Sequence, residues 1–392
     1  MAASYKLFNQ MAGPLFRELG CAIGEAVKGD VTLFTGHPDT TKYFPKISEL
    51  NIRLMPGYNR RSKITRVFSW LSYTVCSVIE LVRMKKSETA IVVSNPPTMV
   101  LFLILARLLG KRYIVIIYDI FPDVFVSLGF LSPINPVVKV WCSLNKIAWN
   151  GAQGVFTIAN RMASNLETQF DSRKTVLGHV AVLPVWVDTN TLKPIPRSKN
   201  TFAADLGLKN KFIVLYSGNM GLSHDINSIL EAAKALSNIK EIAFVLIGQG
   251  AKWNDAVRFQ NEHSLENLMV LPFQSEDILP MSLGMADLGI VSLETGAGNV
   301  MIPSKTYYYM SVGAAVIGIC DIDSELADTL TLAQCGTTVS PGKPQELANI
   351  ISGLFDNTRK LETFKQSARS HCVKFHRKEV CVKSFITTLK DL

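Results

Sequence analysis

Residues 212–236, FIVLYSGNMGLSHDINSILEAAKAL, bring backbone amides and a helix start to one point. An apolar, β-branched run stops at Ser217-Gly218-Asn219-Met220-Gly221. Asp225 then stands as an N-cap, with Ile226, Ile229, Leu230, Ala233 and Leu236 at helical spacing. Strand, glycine turn and helix together aim N–H groups and the positive end of a helix at an anion. A second group lies in residues 285–319: a strand ending near Ser292, a loop with Glu294, Gly296 and Gly298, and a helix opening at Pro303-Ser304 with Ser304 as its cap. Lys305 falls in that first turn, where a cation opposes the helix dipole unless an anion binds at the same end. Taken alone, it reads as a lysine pointing into solvent. The third group is VIIYDIFPDV, residues 115–124, which sets Asp119 at a strand end and Asp123 after Pro122. Carboxylates there sit where α/β sheets receive ligands, although aspartates also serve ordinary turns and caps after strands.

These groups need a scaffold, and the chain supplies alternating strands and helices. Strands are expected at residues 30–35, 89–94, 113–118, 154–158 and 180–183 in the first half. The second half repeats them at 212–217, 243–247, 268–271, 288–292, 314–319 and 337–339. Each is a short, continuous apolar run, the pattern of parallel strands covered on both faces. A chain of 392 residues suits two such cores better than one. The expectation is therefore an α/β protein of two Rossmann-like, doubly wound domains facing across a cleft. The polar, two-proline stretch DTNTLKPIPRSKN, residues 188–200, would join them. Because the glycine turn opens the second half, a ligand held between the halves is expected.

Forty-one Lys and Arg against 32 Asp and Glu give a net charge of +9, which points to an anionic partner. A nucleotide or a membrane surface fits better than nucleic acid, since no nucleic-acid motif or arginine-rich tract appears. Seven scattered cysteines without a CxxC pair fit reduced thiols in a cytoplasm and suggest no metal site. The start MAASYKLFNQ lacks the pattern of a signal peptide. Residues 67–82, VFSWLSYTVCSVIELV, are apolar and flanked by Arg60, Arg61, Lys63, Arg66, Arg83, Lys85 and Lys86. The run is too short to span a bilayer and contains Glu80. The plainer reading is a core helix with solvated ends, and the alternative is a helix and basic rim that touch anionic lipid. Residues 136–149, with Trp141, Trp149, Lys139 and Lys146, could serve the same interface or form an ordinary half-exposed helix.

Residues 180–194, VAVLPVWVDTNTLKP, resemble the IPNGVDTxxFxP interdomain signature of family 4 glycosyltransferases, which are retaining GT-B enzymes using nucleotide sugars. The order then agrees over almost the whole chain: YDIFPD at 118–123, YSGNMG at 216–221, VLIGQG at 245–250, LPF at 271–273, MADLGIVSLE at 285–294 and IPSKTYYYMSVGAAVIG at 302–318. YSGNMG and IPSK resemble in particular the branch that builds bacterial surface polysaccharides on lipid carriers. The resemblance implies a first domain at residues 1–190, a donor domain at 191–372, and a final helix within 373–392 packing back on the first. It implies that Gly218, Asn219, Met220, Gly221, His224, Gly248, Pro272, Phe273, Ser304 and Lys305 bind the donor. Asp119, Glu294 and Lys305 would act in catalysis, with Met11, Gly13 and Asp123 on the acceptor side. The implied donor is a UDP-sugar, the acceptor a lipid-linked saccharide, and neither a metal nor another cofactor is needed. The implied protein is a monomer or weak dimer, cytoplasmic and peripheral to the inner membrane face.

The sequence also departs from the family's pattern. The second glutamate of its Glu-x7-Glu motif is replaced by the tyrosines of TYYYM, and its usual Arg and Lys near the glycine turn are replaced by Asn219 and residues near His224. Lys305 would compensate for that lost charge. A sugar-nucleotide epimerase of the same architecture, or a non-catalytic subunit activating a partner transferase, are the competing readings.

Overall fold

The computed structural model describes residues 4–37, 50–59, 61–127, 129–299 and 303–392. Arg60 of the basic rim and Ile302 of the IPSK segment lie outside the described residues. The chain forms two compact units, one of Met1–Pro184 with Val382–Leu392, the other of Val185–Cys381.

In the first unit the elements run β1 (Ser4–Phe8), α1 (Pro14–Val27), β2 (Val31–Thr35), β3 (Asn51–Leu54), α2 (Lys63–Arg83), β4 (Glu88–Val93), α3 (Met99–Leu108) and β5 (Arg112–Ile117). They continue with α4 (Asp123–Ser127), α5 (Pro136–Trp149), β6 (Gly154–Thr157), α6 (Asn160–Gln169) and β7 (Val180–Val182). The strands make one parallel sheet in the order β3-β2-β1-β4-β5-β6-β7. In the second unit, α7 (Thr201–Asp205), β8 (Phe212–Asn219), α8 (Asn227–Ala235), β9 (Ile242–Gln249), α9 (Trp253–Glu262), β10 (Leu268–Leu271), α10 (Leu279–Gly284) and β11 (Leu288–Ser292) come first. Then follow α11 (Lys305–Ser311), β12 (Ala315–Ile319), α12 (Glu325–Ala333), β13 (Gly336–Val339), α13 (Pro344–Asp356), α14 (Thr358–Phe375) and α15 (Lys378–Lys390), the last running on into the first unit. This sheet is parallel too, in the order β10-β9-β8-β11-β12-β13.

The expected class, two parallel-sheet α/β domains, is what the chain forms. Each sheet reverses its winding once, between β1 and β4 and between β8 and β11. Ligands of open α/β sheets bind beyond the strand ends at such a point. The central strands read as uninterrupted apolar runs because both their faces are covered: β5 is buried from Tyr113 to Ile117 and β12 from Ala315 to Ile319.

Four local expectations need correction. β1, an inner strand of its sheet, lies outside every expected strand. Its Lys6 breaks the apolar run and is accommodated by Asp30 at 2.6 Å and Glu88 at 3.5 Å. β3, an edge strand exposed at every residue, also lies outside the expected strands. β8 and β9 each run two residues past their expected ends, so Gly218 and Asn219 pair with Gly248 and Gln249 as strand and not as turn. α2 is no core helix: Ser69, Tyr73, Thr74, Ser77 and Leu81 are buried, whereas much of its apolar side is exposed. In the second candidate interface, α5, Trp149 is buried and Trp141 packs against Phe121 and Phe125.

Candidate functional site

The ends of β8 and β9 meet at two glycines. A Cβ on Gly248 would collide with the carbonyl oxygen of Gly218, so only glycine lets the two strands stay this close. A Cβ on Gly218 would fall 2.6 Å from Cε and 3.0 Å from Nζ of Lys305. The lysine side chain therefore lies directly on the bare backbone of Gly218. Its Nζ donates to the Tyr216 hydroxyl at 2.8 Å and sits 4.2 Å from the centre of that ring. Tyr216 in turn donates to the carbonyl of Asn219 at 2.7 Å. Behind them the Tyr309 hydroxyl accepts from the Ser217 amide at 2.7 Å and donates to the Leu215 carbonyl, which fixes the strand end.

Among the described residues Lys305 makes no ion pair with a carboxylate. Burial lowers its pKa to about 8, since the charged form lacks solvation. A cation in that state gains most from an anion arriving beside it. The helix it opens is only seven residues long, and Ser304, expected as a cap, makes no side-chain capping bond. The charge of Lys305 itself thus counts for more than the dipole of α11. A pocket opens beside it, lined by Ser217, Gly218, Phe273, Gln274, Lys305 and Tyr308, with Phe273 half exposed. The Pro272 carbonyl accepts from the side-chain Nε2 of Gln274 at 2.8 Å.

A second charged group stands on the other side of the β8 loop. Glu294 follows β11, and its amide donates to the Ser223 carbonyl at 2.8 Å. Its carboxylate accepts from Lys252 Nζ at 2.5 Å, and the same ammonium donates to the His224 carbonyl at 2.7 Å. Lys252 escaped the sequence reading. Its one signal was a lysine directly after the glycine-rich end of β9, in GQGAK. His224 is buried, and burial, aided by the charge of Lys305, lowers its pKa to about 4, so the imidazole is neutral at pH 7. Met220, expected among the donor residues, sends its side chain into the core, which leaves its backbone alone for any ligand. The Gly221 carbonyl accepts from the His224 amide. Asp225 holds the start of α8 by accepting from the amide of Ser228 at 3.0 Å, and it also accepts from Gly342.

The remaining expected residues belong to the first unit. Asp119 follows β5, where its amide and that of Tyr118 donate to Ser94 Oγ. Burial raises its carboxyl pKa to about 6. Asp123 opens α4, accepts from Gln169 at 2.9 Å, and has its pKa raised by burial. Met11 lies after β1 with its amide on Asn9 Oδ1, and Gly13 precedes α1. The residues expected to bind a donor thus gather around the β8–β11 switch of one unit, and those expected on the acceptor side at the strand ends of the other.

Two parallel-sheet α/β units of this topology make up the GT-B fold. Residues 198–371 match the family model of glycosyl transferases group 1, so the second unit carries a group 1 glycosyltransferase domain. The chain is 23% identical over 347 residues to WcaI of Escherichia coli (strain K12), designated a colanic acid biosynthesis glycosyl transferase, covering 84% of this chain and 81% of that one. It is 22% identical over 301 residues to WbjE of Pseudomonas aeruginosa, designated a probable glycosyltransferase, covering 76% and 73%. Among solved structures, Anabaena Alr3699/HepE in complex with UDP superposes with a TM-score of 0.73 at 16% identity over the full length of both chains. WaaG, a glycosyltransferase involved in lipopolysaccharide biosynthesis, does so with a TM-score of 0.68 at 12% identity, over 97% of this chain and 98% of that one.

Proposed function

We propose that this protein is a retaining glycosyltransferase that moves a sugar from a UDP-sugar to a lipid-linked saccharide in surface-polysaccharide assembly, working at the inner face of the cytoplasmic membrane. The observation that carries the reading is Lys305, a half-buried cation with no carboxylate partner among the described residues, lying on the bare backbone of Gly218. The group 1 domain around it and the UDP complex of the HepE neighbour support a nucleoside diphosphate as the anion it meets. The names of WcaI and WaaG support the polysaccharide setting.

The chemistry is a substitution at the anomeric carbon. Its bond to the β-phosphate oxygen breaks, the acceptor hydroxyl oxygen bonds to the same face, and the hydroxyl proton passes to the departing phosphate. Lys305 and the amides around Gly218 stabilise the charge that grows on the diphosphate, so the step is proposed to run without a metal. Glu294 would meet the donor sugar and Asp119 would stand near the reacting carbon. The pocket wall at Phe273, with Pro272 just before it in the chain, would take the base.

Lys305→Ala should raise the Kd for UDP about tenfold or more, on the scale of a lost charge-assisted hydrogen bond, and slow turnover. Titration calorimetry and a UDP-release assay with membrane extract and EDTA would measure both. Unchanged affinity removes Lys305 from the site. The loss of the second family glutamate at TYYYM favours a second reading, a non-catalytic subunit. No UDP release from any UDP-sugar, with donor binding intact, would establish it over the first.

A further inference from the structure

The outer surface of the first unit has a feature that sugar transfer leaves unused. α2 is built inside out. Its inward side is largely hydroxylic, with Tyr73 donating to the Phe34 carbonyl at 2.9 Å and Thr74 bonded to Thr98 at 2.7 Å. Its outward side carries Ile64, Phe68, Leu71, Val75, Ile79 and Val82, all exposed and spaced by threes and fours. That spacing makes one stripe along 21 residues, about 30 Å of helix. Phe68 is 69% exposed and Val75 59%, where a soluble surface rarely keeps so continuous an apolar band. α3 packs against α2 and α5 against α3, and these add exposed apolar residues of their own, among them Leu108 and Val140.

The charge around the stripe says what covers it. Residues 51–118 contain eleven Lys and Arg and two Glu, which accounts for the whole net charge of +9. Arg61 and Lys63 stand exposed at one end of α2, and Arg83, Lys85 and Lys86 at the other. The single acid on the helix, Glu80, is held by Arg83 at 2.6 Å and Arg53 at 3.6 Å. Pairing two copies stripe to stripe would set basic ends against basic ends in either orientation. An anionic lipid surface matches both the band and its rim. No helix among the described residues is long and apolar enough to cross a membrane.

We propose that α2 lies flat in the headgroup layer of an anionic bilayer, its stripe entering the acyl boundary and its terminal Lys and Arg side chains on lipid phosphates. This deepens the lipid-linked acceptor reading and rests on it for its purpose, but vesicle binding requires neither donor nor acceptor. The test is co-sedimentation of the full chain with phosphatidylglycerol–phosphatidylethanolamine vesicles free of acceptor, beside UDP titration of the same samples. Phe68→Asp with Val75→Asp should cut vesicle partitioning about tenfold or more, by removing apolar contact and adding repelled charge, with UDP affinity unchanged. In Phe68→Trp, acyl-brominated lipid should quench the introduced fluorescence. Salt should weaken binding without abolishing it. The proposal falls if the wild type stays in the supernatant, if the double variant binds as well as the wild type, or if salt alone releases everything. It also falls if the stripe proves to be covered by a second copy, with dimerisation lost in the double variant and no lipid binding. Lipid binding without UDP binding would instead leave the proposal standing and overturn the donor reading.

Discussion

At the scale of single residues, Lys305 is where electrostatics and function meet. Its folded pKa of about 8 lies below its ordinary value, so the folded protein gives up this proton before the unfolded chain does. The burial of the charged form therefore costs stability in full below pH 8. That cost is relieved as pH rises from about 8 towards 10.5, because the unfolded state then binds more protons. A diphosphate beside the ammonium acts in the opposite sense and holds the proton on. UDP affinity should thus be flat from pH 7 to 8 and weaken above it, by up to about tenfold per pH unit, since its own phosphate ionises near pH 6. Calorimetry at pH 9 in buffers of different ionisation enthalpy should register proton uptake on binding. Lys305→Met should bind weakly with neither the slope nor the uptake, and a wild-type affinity independent of pH up to 9.5 would detach Lys305 from the anion. Asp119 titrates with the other sign. Burial raises its pKa to about 6, so its ionised form destabilises the fold increasingly as pH climbs from about 4 through 6. Asp119→Asn should raise Tm by a few degrees at pH 7.5 in a thermal melt while lowering transfer activity. A lower Tm would place the carboxylate among the stabilising groups.

At the scale of elements, the glycine pair separates backbone geometry from glycine's general cost. Gly248→Ala drives a methyl into the Gly218 carbonyl, so the β8 and β9 ends must part and the cradle under Lys305 opens. UDP binding should fall to below detection in a calorimetric titration. Gly353→Ala, on the exposed side of α13 with nothing near its Cβ, should instead stabilise by about 0.5–1 kcal/mol and leave binding alone. Similar UDP affinities in the two variants would show that the close approach at Gly248 is dispensable. Most elements were legible in the sequence because buried parallel strands are apolar throughout, and their reading needs no partner residues. β1 was not legible, since its Lys6 looks like an interruption until Asp30 and Glu88 are seen around it. β3 was not legible either, since an exposed edge strand has no burial pattern to betray it. For α2 the period was readable but its direction was not. Periodicity locates an apolar stripe, and only the packing of Tyr73, Thr74 and Ser77 shows that the stripe points away from the core. In the site, the motifs singled out Gly218, Glu294 and Lys305, whereas Lys252 became visible only through its contact with a carboxylate 42 residues away.

At the scale of the whole molecule, the two units should answer a ligand separately. Each has its own parallel sheet and apolar interior, and the chain passes between them only at Pro184–Val185 and Cys381–Val382. Bodies of that kind often unfold as distinct cooperative transitions. A ligand that binds one folded body stabilises that body by mass action, about 2.7 kcal/mol when its concentration is a hundred times Kd. For a unit of about 200 residues this should raise one Tm by about 5–10 °C. Scanning calorimetry of the full chain should therefore show two transitions, with saturating UDP raising one and leaving the other in place. Because every residue proposed to bind the donor lies within Val185–Cys381, the transition that moves should be the one that Gly353→Ala also raises. The one that stays should respond to Asp119→Asn, and Lys305→Ala should remove most of the UDP shift. A single transition that moves as a whole, or a UDP shift carried by the transition that Asp119→Asn displaces, would overturn the assignment of donor binding to the second unit alone.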